Sequence, residues 1–136
     1  MKVAFTTEDG VHVDSHFGWA KQIAIYEIDP EHCSLFTNVE FEGNLVEDGS
    51  EDKLAPKLEA IKDCAILYVS AIGGSAAARV VAKNIHPVKV AETAKIEDQL
   101  QQLQKVLSGT PPPWLRKALN KGRVRDLNFE DEVIYG

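Results

Sequence analysis

The run Val13-Asp14-Ser15-His16-Phe17-Gly18-Trp19 sets one histidine in a polar turn shortly after the first apolar segment of the chain. An imidazole there has little packing to do and is free to face a ligand. When neutral it ligates iron or zinc, and a carboxylate such as Asp14 would orient its other nitrogen. Phe17 and Trp19 offer an apolar wall. A second run, Ile72-Gly73-Gly74-Ser75-Ala76, reads as a strand-to-helix junction. Two glycines let backbone approach a ligand closely, a helix start presents unpaired amides, and Ser75 either caps the helix or donates to the ligand. One soft ligand beside a helix start favours a binder of a small anion or an anionic metal cluster over a hydrolytic enzyme. Arg79 and Lys83, four residues apart, share a helical face; they strengthen an anion site if that face turns to the ligand and otherwise are simply solvated.

Other groups carry less. His86, before Pro87, is a candidate second imidazole. Cys64 precedes an apolar run and reads either as packing or as a soft ligand. Two cysteines, Cys33 and Cys64, build neither a disulfide scaffold nor a four-thiolate site. Asp9 and Asp14 with Glu8 raise a two-metal phosphodiesterase, but they crowd into one turn with no partner carboxylate in the crossover loops. The nucleotide motifs GxxxxGK[ST] and GxGxxG are absent, and Ser75 lacks a GxSxG elbow.

These residues need a scaffold, and 136 residues with 44% hydrophobic content make one domain able to bury roughly two-thirds of its unfolded surface. Fifteen basic against 21 acidic residues, net -6, disfavour nucleic acid and anionic membranes as partners. Charge is nonetheless local: residues 47–52 carry four carboxylates, while Arg116, Lys117, Lys121, Arg123 and Arg125 form a basic stretch. No apolar run approaches the roughly 18 residues that span a bilayer, and the chain enters a strand at once, so a cytoplasmic, reducing location is expected.

Alternation predicts a strand over residues 2–6, with Val11–Val13 as the return of a tight hairpin after Glu8-Asp9-Gly10. Strands at Ile23–Ile28 and Cys33–Phe41 follow, the latter with Leu35, Val39 and Phe41 inward; short connections imply an antiparallel meander. Ser50 is the expected N-cap of a helix whose buried face is Leu54, Leu58 and Ile61. Ala65–Val69 reads as a strand covered on both faces, residues 75–83 as a helix and 88–90 as the last strand. Ile96, Leu100, Leu103 and Leu107 line a third helix. The prolines at 111–113 and Gly122 bracket a short helix with Trp114, Leu115, Ala118 and Leu119 as its apolar side. The expectation is an α/β fold with a mixed sheet, two right-handed crossovers, and a site beyond the carboxyl ends of the strands.

Val3-Ala4-Phe5, Asp14-Ser15-His16-Phe17-Gly18, Glu51-Asp52-Lys53-Leu54, and Gly73-Gly74-Ser75-Ala76 with Pro87-Val88-Lys89 together resemble the dinitrogenase iron-molybdenum cofactor biosynthesis family, the NifX and NafY group, whose domain also occurs at the C-terminus of NifB. The resemblance covers residues 1–107, and Trp114–Leu119 is similar to a NifX-type tail. It implies a cofactor-binding α/β domain over 1–107 and a C-terminal helix and tail over 108–136. It further implies a ribonuclease-H-like mixed five-stranded sheet with flanking helices and no nuclease activity. Such proteins bind an iron-sulfur cluster precursor of the iron-molybdenum cofactor, NifB-cofactor or a later intermediate, and pass it transiently from a NifB-like donor to a NifEN-like acceptor. The family's cofactor-binding histidine falls on His16, also the expected metal ligand, and the helix-start segment falls on Gly73 to Ala76. With Arg79 and Cys64 added, His16, Gly73, Gly74 and Ser75 complete the expected cofactor-binding set. Asn84 stands where many relatives have glycine, and asparagine tolerates the left-handed backbone such a turn needs. The competing reading is a regulatory or scaffold protein of nitrogenase assembly that holds no cofactor.

Overall fold

The computed structural model describes residues 1–41 and 54–119. Five strands form one mixed sheet: β1 (Lys2–Thr6), β2 (Gln22–Ile28), β3 (Cys33–Glu40), β4 (Ile66–Val69) and β5 (His86–Lys89), in the order β3-β2-β1-β4-β5. β1 pairs antiparallel with β2 and parallel with β4; β2–β3 is antiparallel and β4–β5 parallel. The helices are α1 (Ala55–Ala60), α2 (Gly74–Ala82), α3 (Ile96–Ser108) and α4 (Pro113–Leu119). This is the expected mixed α/β sheet with flanking helices, and its strand order is compatible with a ribonuclease-H-like arrangement.

Side-chain alternation sorts the core into two clusters. Val3, Phe5, Ile66 and Tyr68 meet Ile96, Leu100, Leu103 and Leu107 of α3 and Leu115 of α4 on one face. Ala4, Ile23, Ile25, Leu67 and Val69 meet Leu58 and Ile61 at α1 and Ala76 and Val80 of α2 on the other. At the centre Phe5 stacks on Tyr68 at 4.6 Å between ring centroids and meets Tyr26 edge-on at 5.7 Å. Burial there pushes the Tyr68 phenol up to about 12.

Two strand expectations are corrected. Val11–Val13 is not a hairpin return: the segment forms an isolated bridge, His12 to Lys95, with the Val13 amide on the Ala94 carbonyl and the Ile96 amide on the Val11 carbonyl. It is held by the approach to α3 rather than by β1. Leu35 is exposed, not inward. The β2–β3 register jumps from Ile25–Thr37 to Tyr26–Leu35, so a bulge at Phe36 breaks the alternation and turns Leu35 to the opposite face from Val39. Val39 and Phe41 do pack against the core. The Ser50 cap lies outside the described residues, as does everything expected after 119.

The α2 terminus shows why asparagine serves at position 84. Asn84 has φ +64°, its amide bonds the Val81 carbonyl at 2.9 Å, and the Ile85 amide reaches back to the Val80 carbonyl at 3.2 Å. That is a Schellman-type ending, sealed by the buried pair Val80 and Ile85.

Candidate functional site

β1 and β4 run parallel at the centre of the sheet, and the chain leaves their carboxyl ends in opposite directions, the position where open α/β sheets take ligands. The His16 turn is fastened there. Thr6, fully buried at the end of β1, donates from Oγ1 to the Ser15 carbonyl at 2.7 Å and lies 3.4 Å from the Tyr68 carbonyl. The Ser70 amide bonds the same Ser15 carbonyl at 3.2 Å, and the Phe17 amide bonds the Ala71 carbonyl at 2.9 Å. His16 forms a parallel bridge with Ala71, two residues before Gly73. Phe17 is buried in the core, so each side of His16 is anchored while the imidazole stays half-exposed.

His16 caps a single 3-10 turn, Phe17–Trp19, with its Nδ1 accepting the Gly18 amide at 3.0 Å. The expected orienting group, Asp14, faces elsewhere: its Oδ1 accepts the Glu8 amide at 2.8 Å. Trp19, 66% exposed, tilts beside the imidazole at 6.4 Å, so the apolar wall is Trp19 alone. Lys57 of α1 was not singled out from the sequence. It is 8% exposed, and its Nζ donates to the Gly18 carbonyl at 3.2 Å and lies 5.3 Å from the Phe41 ring. Flanked by Pro56 and Leu58, it carries no periodic signal that distinguishes it from a surface lysine.

The structure brings part of the expected set together. Gly73, Gly74 and Ser75 form the exposed start of α2, immediately after the strand end that His16 bridges. Ser75 does not cap the helix: Gly73 holds the cap position without a side-chain bond. Open space surrounds both glycines on the Cβ side. Arg79 and Lys83 lie roughly 8 and 14 Å farther along the helix axis, at 1.5 Å per residue, with Arg79 on the Ser75 side. Cys64 is separated from His16 altogether. It precedes the amino end of β4, 1% exposed among the α1–α2 core residues, whereas His16 sits at the carboxyl end. His86 likewise starts β5, opposite Ile66, and stacks on Trp114 at 4.0 Å. There it lines a cavity of about 460 Å³ with Val81, Ile85 and Lys117, and burial lowers its pKa.

Asp9, His12 and Asp14 hold ligand-type atoms within 4.8 Å of one another. Their hydrogen bonds account for the grouping. Asp9 Oδ1 accepts the Val11 and His12 amides at 2.8 Å each, and Oδ2 meets the His12 ring at 2.7 Å. Those bonds, the His12 amide foremost, hold the Asp9 carboxyl well below its usual range. The carboxylates that suggested a nuclease thus organise the loop leading to His16.

A family model described as "Dinitrogenase iron-molybdenum cofactor" matches residues 1–106. Protein NifX of Herbaspirillum seropedicae is 62% identical over 133 residues, covering 98% of this chain and 91% of its own length. Protein NifX of Azotobacter vinelandii is 41% identical over 133 residues, covering 98% and 84%. The solved structure described as "Crystal structure of PH0822" shares the fold, with a TM-score of 0.61 at 20% identity over 77% of this chain and 89% of that one. The motif match around His16, the sheet that positions it and the near-full-length similarity to NifX proteins agree: the chain belongs to the dinitrogenase iron-molybdenum cofactor family.

Proposed function

We propose that this protein works in nitrogenase cofactor assembly as a carrier that binds an iron-sulfur precursor of the iron-molybdenum cofactor and hands it on, without catalysis. The observation that carries the reading is the His16 turn, pinned by Thr6, Ser70 and Ala71 at the carboxyl ends of the central parallel strands and bordered by the exposed α2 start. Family membership and the similarity to NifX proteins support the assembly role. An anionic cluster suits a half-exposed imidazole beside helix-start amides. Few contacts also suit cargo that must leave: a closed set of four thiolates would hold it too firmly, and Cys64 is buried at the far end of β4. The proposed contact set is therefore His16 with Gly73, Gly74 and Ser75, with Arg79 contributing longer-range positive potential. The donor is NifB-like and the acceptor NifEN-like. Among the described residues no helix is long and apolar enough to cross a membrane, in keeping with a cytoplasmic exchange between such partners.

The test is anaerobic mixing with isolated NifB-cofactor, gel filtration, and iron and molybdenum analysis of the protein peak, with His16→Ala run in parallel. Iron should co-elute with the unaltered protein and fall about tenfold or more in the variant, the scale of losing one contact to a charged group. An iron-free peak, with NifB-cofactor and mature cofactor alike, would refute the carrier reading and leave the cofactor-free scaffold.

A further inference from the structure

The cavity beside His86 lies at the opposite edge of the sheet from the His16 turn. Ala65 and His86, at the amino ends of β4 and β5, border it, and roughly 16 Å of chain separates Ala65 from Ser70 at about 3.3 Å per residue. At about 460 Å³ it has the size of a small-molecule site. Three elements wall it. α4 contributes Trp114, Lys117 and Ala118, which at i, i+3 and i+4 share one helical face. The end of α2 and the turn after it contribute Val81 and Ile85. β5 contributes the His86 ring, stacked on Trp114 at 4.0 Å with 20° between the planes. Trp114 remains 40% exposed and Val81 57%, so packing against the core does not cover this apolar rim.

Charge narrows what can enter. Among the described residues no carboxylate lines the cavity, and Lys117 is the one cation that does. Nor does any described carboxylate pair with Lys117. Burial lowers the His86 pKa, so at neutral pH that ring stacks uncharged. The carboxyl end of α2 brings partial negative charge to the same wall, which one carboxylate tolerates better than a doubly charged phosphate. The described walls also lack the guanidinium fork or helix-start amides that suit a phosphate. We propose that this cavity binds a small planar aromatic carboxylate, its ring against the Trp114–His86 pair and its carboxylate on Lys117 Nζ. Such a ligand joins α4 to α2 and β5, adding to the hold that Leu115 and Ala118 have on the core, and leaves the His16 edge open. The carrier reading does not enter this assignment.

Calorimetric titration of the full chain with 2-naphthoate, 2-naphthamide and acetate tests it. One equivalent of 2-naphthoate should bind with a Kd of about 1 mM or tighter, the range for a ligand of this size. 2-Naphthamide, the same ring without the charge, should bind about tenfold more weakly, and acetate not measurably. Lys117 is exposed, so Lys117→Met should fold normally; it should bring 2-naphthoate down to the 2-naphthamide level and leave 2-naphthamide unchanged. In NMR spectra 2-naphthoate should shift the Ile85 and His86 amides and the Trp114 indole, and not the amides of His16 and Gly18. No saturable binding up to about 10 mM overturns the proposal. So does equal affinity for acid and amide, an unaffected Lys117→Met variant, or shifts centred on His16.

Discussion

Replacing Thr6 by valine removes one hydroxyl and nothing else of size, and the structure says what that hydroxyl does. Thr6 is fully buried, and its Oγ1 holds the Ser15 carbonyl at 2.7 Å, with the Tyr68 carbonyl at 3.4 Å as a weaker second acceptor. Without it, the Ser15 carbonyl keeps only the Ser70 amide, at 3.2 Å. The Ser15 carbonyl is therefore not orphaned, and the cost belongs near the ordinary worth of a buried hydrogen bond, about 1–2 kcal/mol. With unfolding entropy near 2.1 cal/mol/K per residue, the 136-residue chain has about 0.29 kcal/mol/K, so the melting temperature should fall by about 3–7 °C. Urea unfolding should show a lower midpoint with an unchanged slope, because the exposed surface is the same. Amide exchange at Phe17 and Ser70 should quicken, since both bonds belong to the turn that Thr6 fastens. Thr6→Ser, which keeps the hydroxyl, should preserve that exchange pattern. A valine variant as stable as the unaltered protein, with unchanged exchange at both amides, would refute the argument that Thr6 fastens the His16 turn.

Leu115→Ala should cost about 2–4 kcal/mol, because its side chain is 1% exposed against the α3 face; a loss below 1 kcal/mol in urea unfolding would show that α4 is not seated in the core. For His86, burial lowers the folded-state pKa below its ordinary value, so between the two values the unfolded chain binds more protons. The His86 contribution to stability is thus complete above about pH 7 and declines as pH drops through 6.5 toward the folded-state pKa. Urea midpoints at about pH 7.5 and pH 5.5 should diverge more in the unaltered protein than in His86→Gln, and an equal divergence would contradict that sign.

Periodicity made the framework readable. The shift from alternation to helical spacing marked β1 to β3 and then the crossovers, and the four residues expected to line α3 are the ones buried, while Val106 between them faces outward. What failed was local. A one-residue bulge at Phe36 leaves no mark in an alternating pattern, so Leu35 was placed inward. The bridge from His12 to Lys95 joins segments 83 residues apart, and nothing near Val11 announces it. At the candidate site, the turn residues around His16 were legible because buried packing rarely uses Asp-Ser-His in sequence. Its orienting partner was not: Asp14 was the chemically obvious choice, yet the Gly18 amide holds Nδ1 and imposes the opposite polarity. Cys64 failed for a related reason, since a strand's two ends are close in sequence and at opposite edges of the sheet.

The position of β1 in the sheet has a consequence for how the chain is made. Of these five strands the earliest in the chain is the middle one of the sheet, and its two neighbours arrive at different times. β2 and β3 follow within 40 residues, so a three-stranded meander can assemble early. The other side of β1 must wait for Ile66–Val69, and until then its amides and carbonyls form an open edge. Both core clusters are also incomplete at that stage, because α2, α3 and Leu115 come later still. The nascent protein therefore passes through a stage with an unpaired central strand and two uncovered apolar faces. Pairing β1 with β4 closes some 60 residues of chain, a non-local contact of the kind that slows folding, and the His16 turn, which rests on both strand ends, takes its final form only when that pairing is complete.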